Sequence, residues 1–154
     1  MKIKINYFLI PLIVIIVSAL GGYFTSVGLK EWYPSLTLPS FTPPGGTIGM
    51  VWTILYILAT IACLIVVNTF KDKSFLIKLF ILNAFLNVSW SLLFFTFNLT
   101  WEAFLWAILL GVSVLTIILF SYKESKLVAF LMLPYLLWVS FASYLNFTIY
   151  MLNK

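Results

Sequence analysis

The stretch EWYPSLTLPSFTPPGGTIGMVW, residues 31–52, holds four of the six prolines of the chain: Pro34, Pro39, Pro43 and Pro44. Proline fixes φ, lacks an N–H and biases the preceding residue away from helix, so no helix runs through this stretch before about Gly46. On either side the sequence is almost continuous hydrocarbon. The stretch therefore reads as one rigid, aromatic loop set between long apolar segments.

Composition says where such segments lie. The chain has 154 residues, is 64% hydrophobic and 8% charged, and its mean hydropathy is +1.15. Average soluble domains are about 25% charged. A soluble fold of this size cannot cover that much apolar surface. The nine Lys and four Asp or Glu fall in short clusters, and there is no Arg or His. Between the clusters lie five charge-free stretches, 5–29, 32–70, 79–101, 103–122 and 127–153. Each supplies the ~20 apolar residues that cross a ~30 Å hydrocarbon core. The runs are continuous rather than alternating, which excludes a membrane β-barrel. The expectation is an all-α integral membrane protein, one domain over residues 1–154, with helices at roughly 5–28, 48–68, 75–97, 101–122 and 127–152. An ordered Pro-rich loop would join the first two helices.

Lysine distribution sets an expected orientation. With five spans, Lys2, Lys4, Lys71, Lys73, Lys78, Lys123 and Lys126 share one side, and Lys30 and Lys154 the other. The positive-inside rule places the N-terminus in the cytoplasm and the proline loop and C-terminus outside, as in a bacterial plasma membrane. The net charge of +5 then serves orientation and anionic-lipid contact rather than nucleic-acid binding. The apolar run near the N-terminus exceeds the 7–15 residues of a signal-peptide core, so it reads as a retained span.

Several chemistries are excluded. One Cys and no His leave no metal constellation, and Cys63 has no partner for an intrachain disulfide. No charged residue lies inside a span, which argues against acid–base catalysis and ion-driven transport. Glu102 and Thr100 are expected to complement and cap the start of the fourth helix. Small residues recur at four-residue spacing, Ser18–Gly22–Ser26 and Ala103–Ala107–Gly111, as either helix-packing or dimer seams.

Inside the membrane, aromatic and amide groups remain. Trp52 and Tyr56 share a helix face, as do Asn83, Asn87, Trp90, Ser91 and Phe94, and Tyr135, Trp138, Ala142 and Asn146. Intramembrane amides need partners and should point inward, either as interhelical bonds or toward a ligand.

These residues carry a resemblance. Trp32, Tyr33, Leu36, Pro39, Phe41, Pro43, Pro44, Trp52, Leu55 and Tyr56 fit the first motif of the TspO/MBR family, the tryptophan-rich sensory and translocator proteins. Asn87, Trp90, Ser91, Phe94 and Phe95 resemble its third-helix motif. Pro134, Tyr135, Leu137, Trp138, Phe141, Ala142, Leu145 and Asn146 resemble its fifth-helix motif.

The resemblance implies five packed helices, often dimeric, with the first loop as a lid over a pocket. It implies binding of tetrapyrroles such as protoporphyrin IX, and of isoquinoline carboxamide or benzodiazepine-type drugs, with light-dependent porphyrin breakdown in some members. No cofactor is required; protoporphyrin IX would be ligand or substrate. Carried over, the ligand-binding residues are Tyr33, Pro43, Ile48, Trp52, Tyr56, Asn83, Asn87, Trp90, Trp138 and Ala142, with Trp52 and Trp138 as the photochemical pair. Asn83 stands where family members often carry Gln. Alternatives are a porphyrin or lipid/sterol transporter, or a structural or regulatory membrane partner.

Overall fold

The computed structural model describes residues 5–154; Lys2 and Lys4 lie outside the described residues. Five long helices carry the chain: α1 (Asn6–Gly28), α3 (Gly45–Thr69), α4 (Ser74–Ser91), α5 (Thr100–Ser121) and α6 (Lys126–Asn153). A four-residue helix, α2 (Trp32–Ser35), sits in the proline loop, and α4 continues into a π-helical turn over Leu92–Thr96. Counting that turn with α4, all five long helices have the length and hydropathy to cross a membrane. Among the described residues there is no strand. The protein is an all-helical membrane bundle.

Each helix begins where backbone chemistry allows. Pro44 has ψ 144°, an extended value, and its carbonyl accepts from Thr47 N and Ile48 N at 2.9 and 3.1 Å, so α3 starts at Gly45. Helix α6 is capped by the Ser125 hydroxyl, which accepts from Val128 N at 3.4 Å. Helix α5 departs from expectation: Thr100 is its first helical residue and no side chain caps it. The preceding Asn98 occupies φ 59°, a left-handed conformation that Asn tolerates well, and it makes the tight turn from which α5 starts. Glu102 does stand in the first turn.

The core runs between α3, α4, α5 and α6, through Leu55, Val66, Leu86, Val114, Ile117, Met132 and Val139. Helix α5 packs most extensively on α6. The stripe Ala103–Ala107–Gly111 belongs to this contact: Ala103 is fully buried, and a Cβ on Gly111 would lie 3.5 Å from Val139. It is an intramolecular seam, not a dimer face. On α1 the inward side is Ser18, Gly21, Thr25 and Gly28 rather than Ser18, Gly22 and Ser26; Ser26 is exposed, and Gly22 is exposed at the edge of the cavity described below. Gly28 lies directly against the Phe95 backbone; a Cβ there would come within 2.9 Å of the Phe95 carbonyl carbon.

The two ends of the bundle differ. At one end the loops after α3 and α5 meet, Lys71 N donating to Glu124 Oε2 at 3.3 Å. At the other, the segment from Leu29 to Pro44 folds over the bundle. Trp32 and Tyr33 set their rings edge-on to Phe94, at 5.1 and 6.3 Å. Phe41 stacks on Tyr144 at 5.5 Å and 17°. This loop is an ordered lid, and its prolines lower the entropy lost in ordering it.

Candidate functional site: a lidded cavity inside the bundle

Beneath the lid lies a cavity of about 770 Å³, within the range of small-molecule sites. Its roof is Tyr33, Leu38, Thr42, Pro43 and Ile48; its walls include Trp52, Trp90, Phe94, Phe95, Trp138 and Ala142; Tyr56 and Asn87 form the floor. A smaller groove of about 280 Å³ lies between α1 and α3 and shares Ser18 and Tyr56 with the main cavity.

Nine of the ten residues expected at a ligand site line this cavity: Tyr33, Pro43, Ile48, Trp52, Tyr56, Asn87, Trp90, Trp138 and Ala142. Asn83 does not. It is buried one helical turn further from the lid, donating from Nδ2 to Ser113 Oγ at 2.9 Å and accepting at Oδ1 from Tyr135 at 3.1 Å. The sequence reading missed Leu38, Thr42 and the α1 wall of Gly21 and Thr25. The α1 wall was legible as small residues at spacings of three and four, 18, 21, 25 and 28, the period of one helix face.

The walls are built by helical spacing. Trp52 and Tyr56 lie one turn apart on α3 with rings 5.8 Å apart, and Trp52 stands edge-on to Tyr135, also at 5.8 Å. Trp90 stacks on Phe94 at 5.4 Å and 11°. The π-helical turn brings both Phe94 and Phe95 to the cavity; such turns insert one residue into the helical register and recur at functional sites.

Polar groups on the wall are tied to carbonyls. Trp90 Nε1 donates to Asn146 Oδ1 at 3.1 Å, and Asn146 Nδ2 donates to the Thr100 carbonyl at 2.8 Å. Tyr56 donates its hydroxyl to Asn87 Oδ1 at 2.6 Å, and Asn87 Nδ2 donates to Tyr135 Oη at 3.1 Å. The hydroxyls of Thr25, Thr42 and Thr53 bond carbonyls of their own segments. Trp138 Nε1 is buried with no partner among the described residues. Burial raises the Tyr33 hydroxyl pKa above its usual value of 10. Among the described residues there is no cluster of metal-ligating side chains. The site can hold a flat apolar body by its aromatic faces and orient it with a few polar groups.

Known proteins resemble this chain in sequence. The chain is 40% identical to the tryptophan-rich protein TspO of Bacillus cereus over 126 residues, 80% of this chain and 82% of that protein. It is 38% identical to the protein of the same name from Archaeoglobus fulgidus over 143 residues, 92% and 93% of the two chains. The human translocator protein is 29% identical over 135 residues, 84% of this chain and 79% of that one. The TspO/MBR family pattern itself matches residues 9–152, and with that span and these identities the chain belongs to the TspO/MBR family.

Proposed function

We propose that this protein is a membrane receptor for flat hydrophobic ligands, with tetrapyrroles such as protoporphyrin IX as the leading class. Drug-like isoquinoline carboxamides and benzodiazepines fit the same chemistry. The observation that carries the reading is the lidded cavity of about 770 Å³ walled by Trp52, Trp90 and Trp138. Aromatic faces favour a planar macrocycle, and an already ordered lid loses little freedom when ligand binds. Trp52 and Trp138 would stand beside a bound porphyrin, where an excited macrocycle reacts with an indole or takes an electron from it. The ligand is the chromophore in that reaction.

The test is protoporphyrin IX titrated into detergent-solubilised protein, in darkness and then in light, beside Trp52→Phe and Trp138→Phe. Saturable binding, with light-driven porphyrin loss that slows in the variants, is the expected result. No saturable binding removes the reading. Binding with loss equal to that caused by free indole leaves a receptor without photochemistry.

The groove between α1 and α3 supports a second reading, a carrier for porphyrins or lipids, because it adjoins the main cavity at Ser18 and Tyr56. Liposomes with reconstituted protein should then load porphyrin faster than empty ones; equal rates remove it. In either case the lysine-bearing loops would face the cytoplasm of a bacterial plasma membrane and the lid the outside. The proposed assembly is a homodimer, with Ser26 of α1 as the member of the small-residue stripe left exposed away from the cavity.

A further inference from the structure

A single hydrogen-bonded chain runs through four helices to the cavity floor. Ser113 Oγ donates to the Leu110 carbonyl at 2.7 Å, and Asn83 Nδ2 donates to Ser113 Oγ at 2.9 Å. Tyr135 Oη donates to Asn83 Oδ1 at 3.1 Å, Asn87 Nδ2 to Tyr135 Oη at 3.1 Å, and Tyr56 Oη to Asn87 Oδ1 at 2.6 Å. Every member donates away from the cavity. Asn83, Asn87, Tyr135 and Ser113 are all buried, and of these four only Asn87 lines the cavity.

Two directions are open to such a chain, because hydroxyls rotate and amides turn over. In the observed direction it holds five hydrogen bonds. Reversed, Ser113 donates to Asn83 and gives up the Leu110 carbonyl. The chain then holds one bond fewer and ends in a Tyr56 O–H turned to the cavity. Each asparagine keeps one further N–H in either direction, so the difference stands. One hydrogen bond is worth about 0.5–1.5 kcal/mol net, enough to bias the direction. A backbone carbonyl only accepts, so it is the fixed end of the chain.

We propose that Ser113, which touches no part of the cavity, sets the hydrogen-bond polarity of the floor and so makes the site select ligands with a hydrogen-bond donor at their inner end. Tyr56 commits its proton to Asn87 and turns only lone pairs to the ligand. A donor ligand adds a bond to the chain as it stands. An acceptor ligand can take the Tyr56 proton only if the whole chain reverses and the Ser113–Leu110 bond is lost. Ser113 and Asn83 are thus positioning residues that act through Tyr135 and Asn87. The ligand half of this inference rests on the cavity being the binding site; the polarity half does not.

Removing the Ser113 hydroxyl makes the two directions equal. In Ser113→Ala each direction keeps three bonds within the chain, and each leaves one Asn83 amide atom unpaired. The bias disappears and the Tyr56 proton becomes available to the cavity.

Two measurements test this. Ultraviolet resonance Raman spectra of the unliganded protein, taken as differences against Tyr56→Phe, read whether the Tyr56 hydroxyl donates or accepts. Tyr56 should donate in wild type and shift toward accepting in Ser113→Ala; a donor signature unchanged by Ser113→Ala overturns the polarity assignment. In lipid nanodiscs, the Kd ratio of 2-methoxynaphthalene, an acceptor, to 2-naphthol, a donor, should fall about 5-fold from wild type to Ser113→Ala, one hydrogen bond's worth. Ser113→Thr, which keeps the hydroxyl, should restore it. An equal ratio in wild type and Ser113→Ala overturns the selection. Failure of both probes to bind wild type removes the selection together with the proposed function, while the Raman shift still decides the polarity.

Discussion

Asn153, in the last turn of α6, grips Thr37 of the lid by both backbone groups. Its Oδ1 accepts from Thr37 N at 2.8 Å, and its Nδ2 donates to the Thr37 carbonyl at 3.0 Å. The pairing copies the two-way bond of neighbouring β-strands and ties residues 116 apart in sequence. The lid is therefore fastened to the helix that carries Trp138 and Ala142. In Asn153→Ala both bonds go, while Phe41 still stacks on Tyr144. Two partly solvated hydrogen bonds are worth about 1 kcal/mol together, so ligand dissociation should quicken ~5-fold. Stopped-flow displacement of a bound porphyrin measures it; an unchanged rate means the lid is held by its aromatic contacts alone.

Gly28 and Gly22 make opposite predictions on one helix. A Cβ at position 28 would run into the Phe95 main chain, whereas nothing lies within 4 Å of one at position 22. The obstacle at Gly28 is backbone of the π-helical turn, which cannot swing aside as a side chain would. Gly28→Ala should cost about 1–3 kcal/mol, the usual range for overpacking. Gly22→Ala should be neutral or slightly stabilising, since alanine is the better helix former. Thermal melting in detergent separates them. Equal melting points would show that α1 shifts freely against the turn.

The bundle was legible because hydrocarbon length and charge placement are one-dimensional quantities. Five charge-free runs dictate five spans, and four prolines dictate a rigid loop between the first two; that this loop is a lid came from the resemblance. Residues such as Trp52 and Tyr56 were legible because helical spacing alone sets them on one face. What the sequence hid depends on the partner across the gap. Asn83 and Asn87 lie on one face, one turn apart, yet only Asn87 reaches the cavity, because Ser113 and Tyr135 take up Asn83. The π-helical turn has no composition signature: it places Phe94 and Phe95 by one inserted residue. Four-residue spacing singled out Ser18, Gly22 and Ser26, whereas the packed face follows the mean 3.6 period through Gly21 and Gly28.

Gly111 separates packing from assembly. Its neighbour is Val139 on α6 of the same chain, so Gly111→Leu should force α5 and α6 apart and cost about 1–3 kcal/mol. Gly111→Ala, at ordinary contact distance, should be tolerated. The readouts are melting temperature and chemical cross-linking together. A Gly111→Leu variant that melts normally but loses its dimer band would return the stripe to an assembly role.

Tyr33 gives the lid a limit at alkaline pH. Burial favours its neutral form, so the folded lid holds the proton at pH values where a free tyrosine has lost it. The sign follows: below the ordinary value of 10 both states are protonated and nothing changes. Above it the open lid ionises first, and closure weakens as pH rises toward the raised value. Porphyrin affinity of wild type should fall past pH 10, and Tyr33→Phe should fall less. Parallel losses would place the alkaline response outside the lid.

The Trp90–Asn146–Thr100 chain predicts an asymmetry. Asn146 is 2% exposed and satisfies two groups at once, the Trp90 N–H and the Thr100 carbonyl. Asn146→Ala leaves both without that partner and opens a space between α4 and α6. Orphaning a buried donor costs about 1–3 kcal/mol. Trp90→Phe removes the donor instead and keeps the stack on Phe94, leaving Asn146 still bonded to Thr100. Once the Trp90 N–H is gone, the further loss of Asn146 should cost less than it does in wild type. A double-mutant cycle on chemical stability should therefore show coupling of about 1 kcal/mol between the two positions. Strict additivity would mean that the Trp90 N–H finds an equal partner in the cavity once Asn146 is gone. The wall would then offer a ligand a donor that the intact protein withholds, and Asn146→Ala should tighten binding of the acceptor probe 2-methoxynaphthalene.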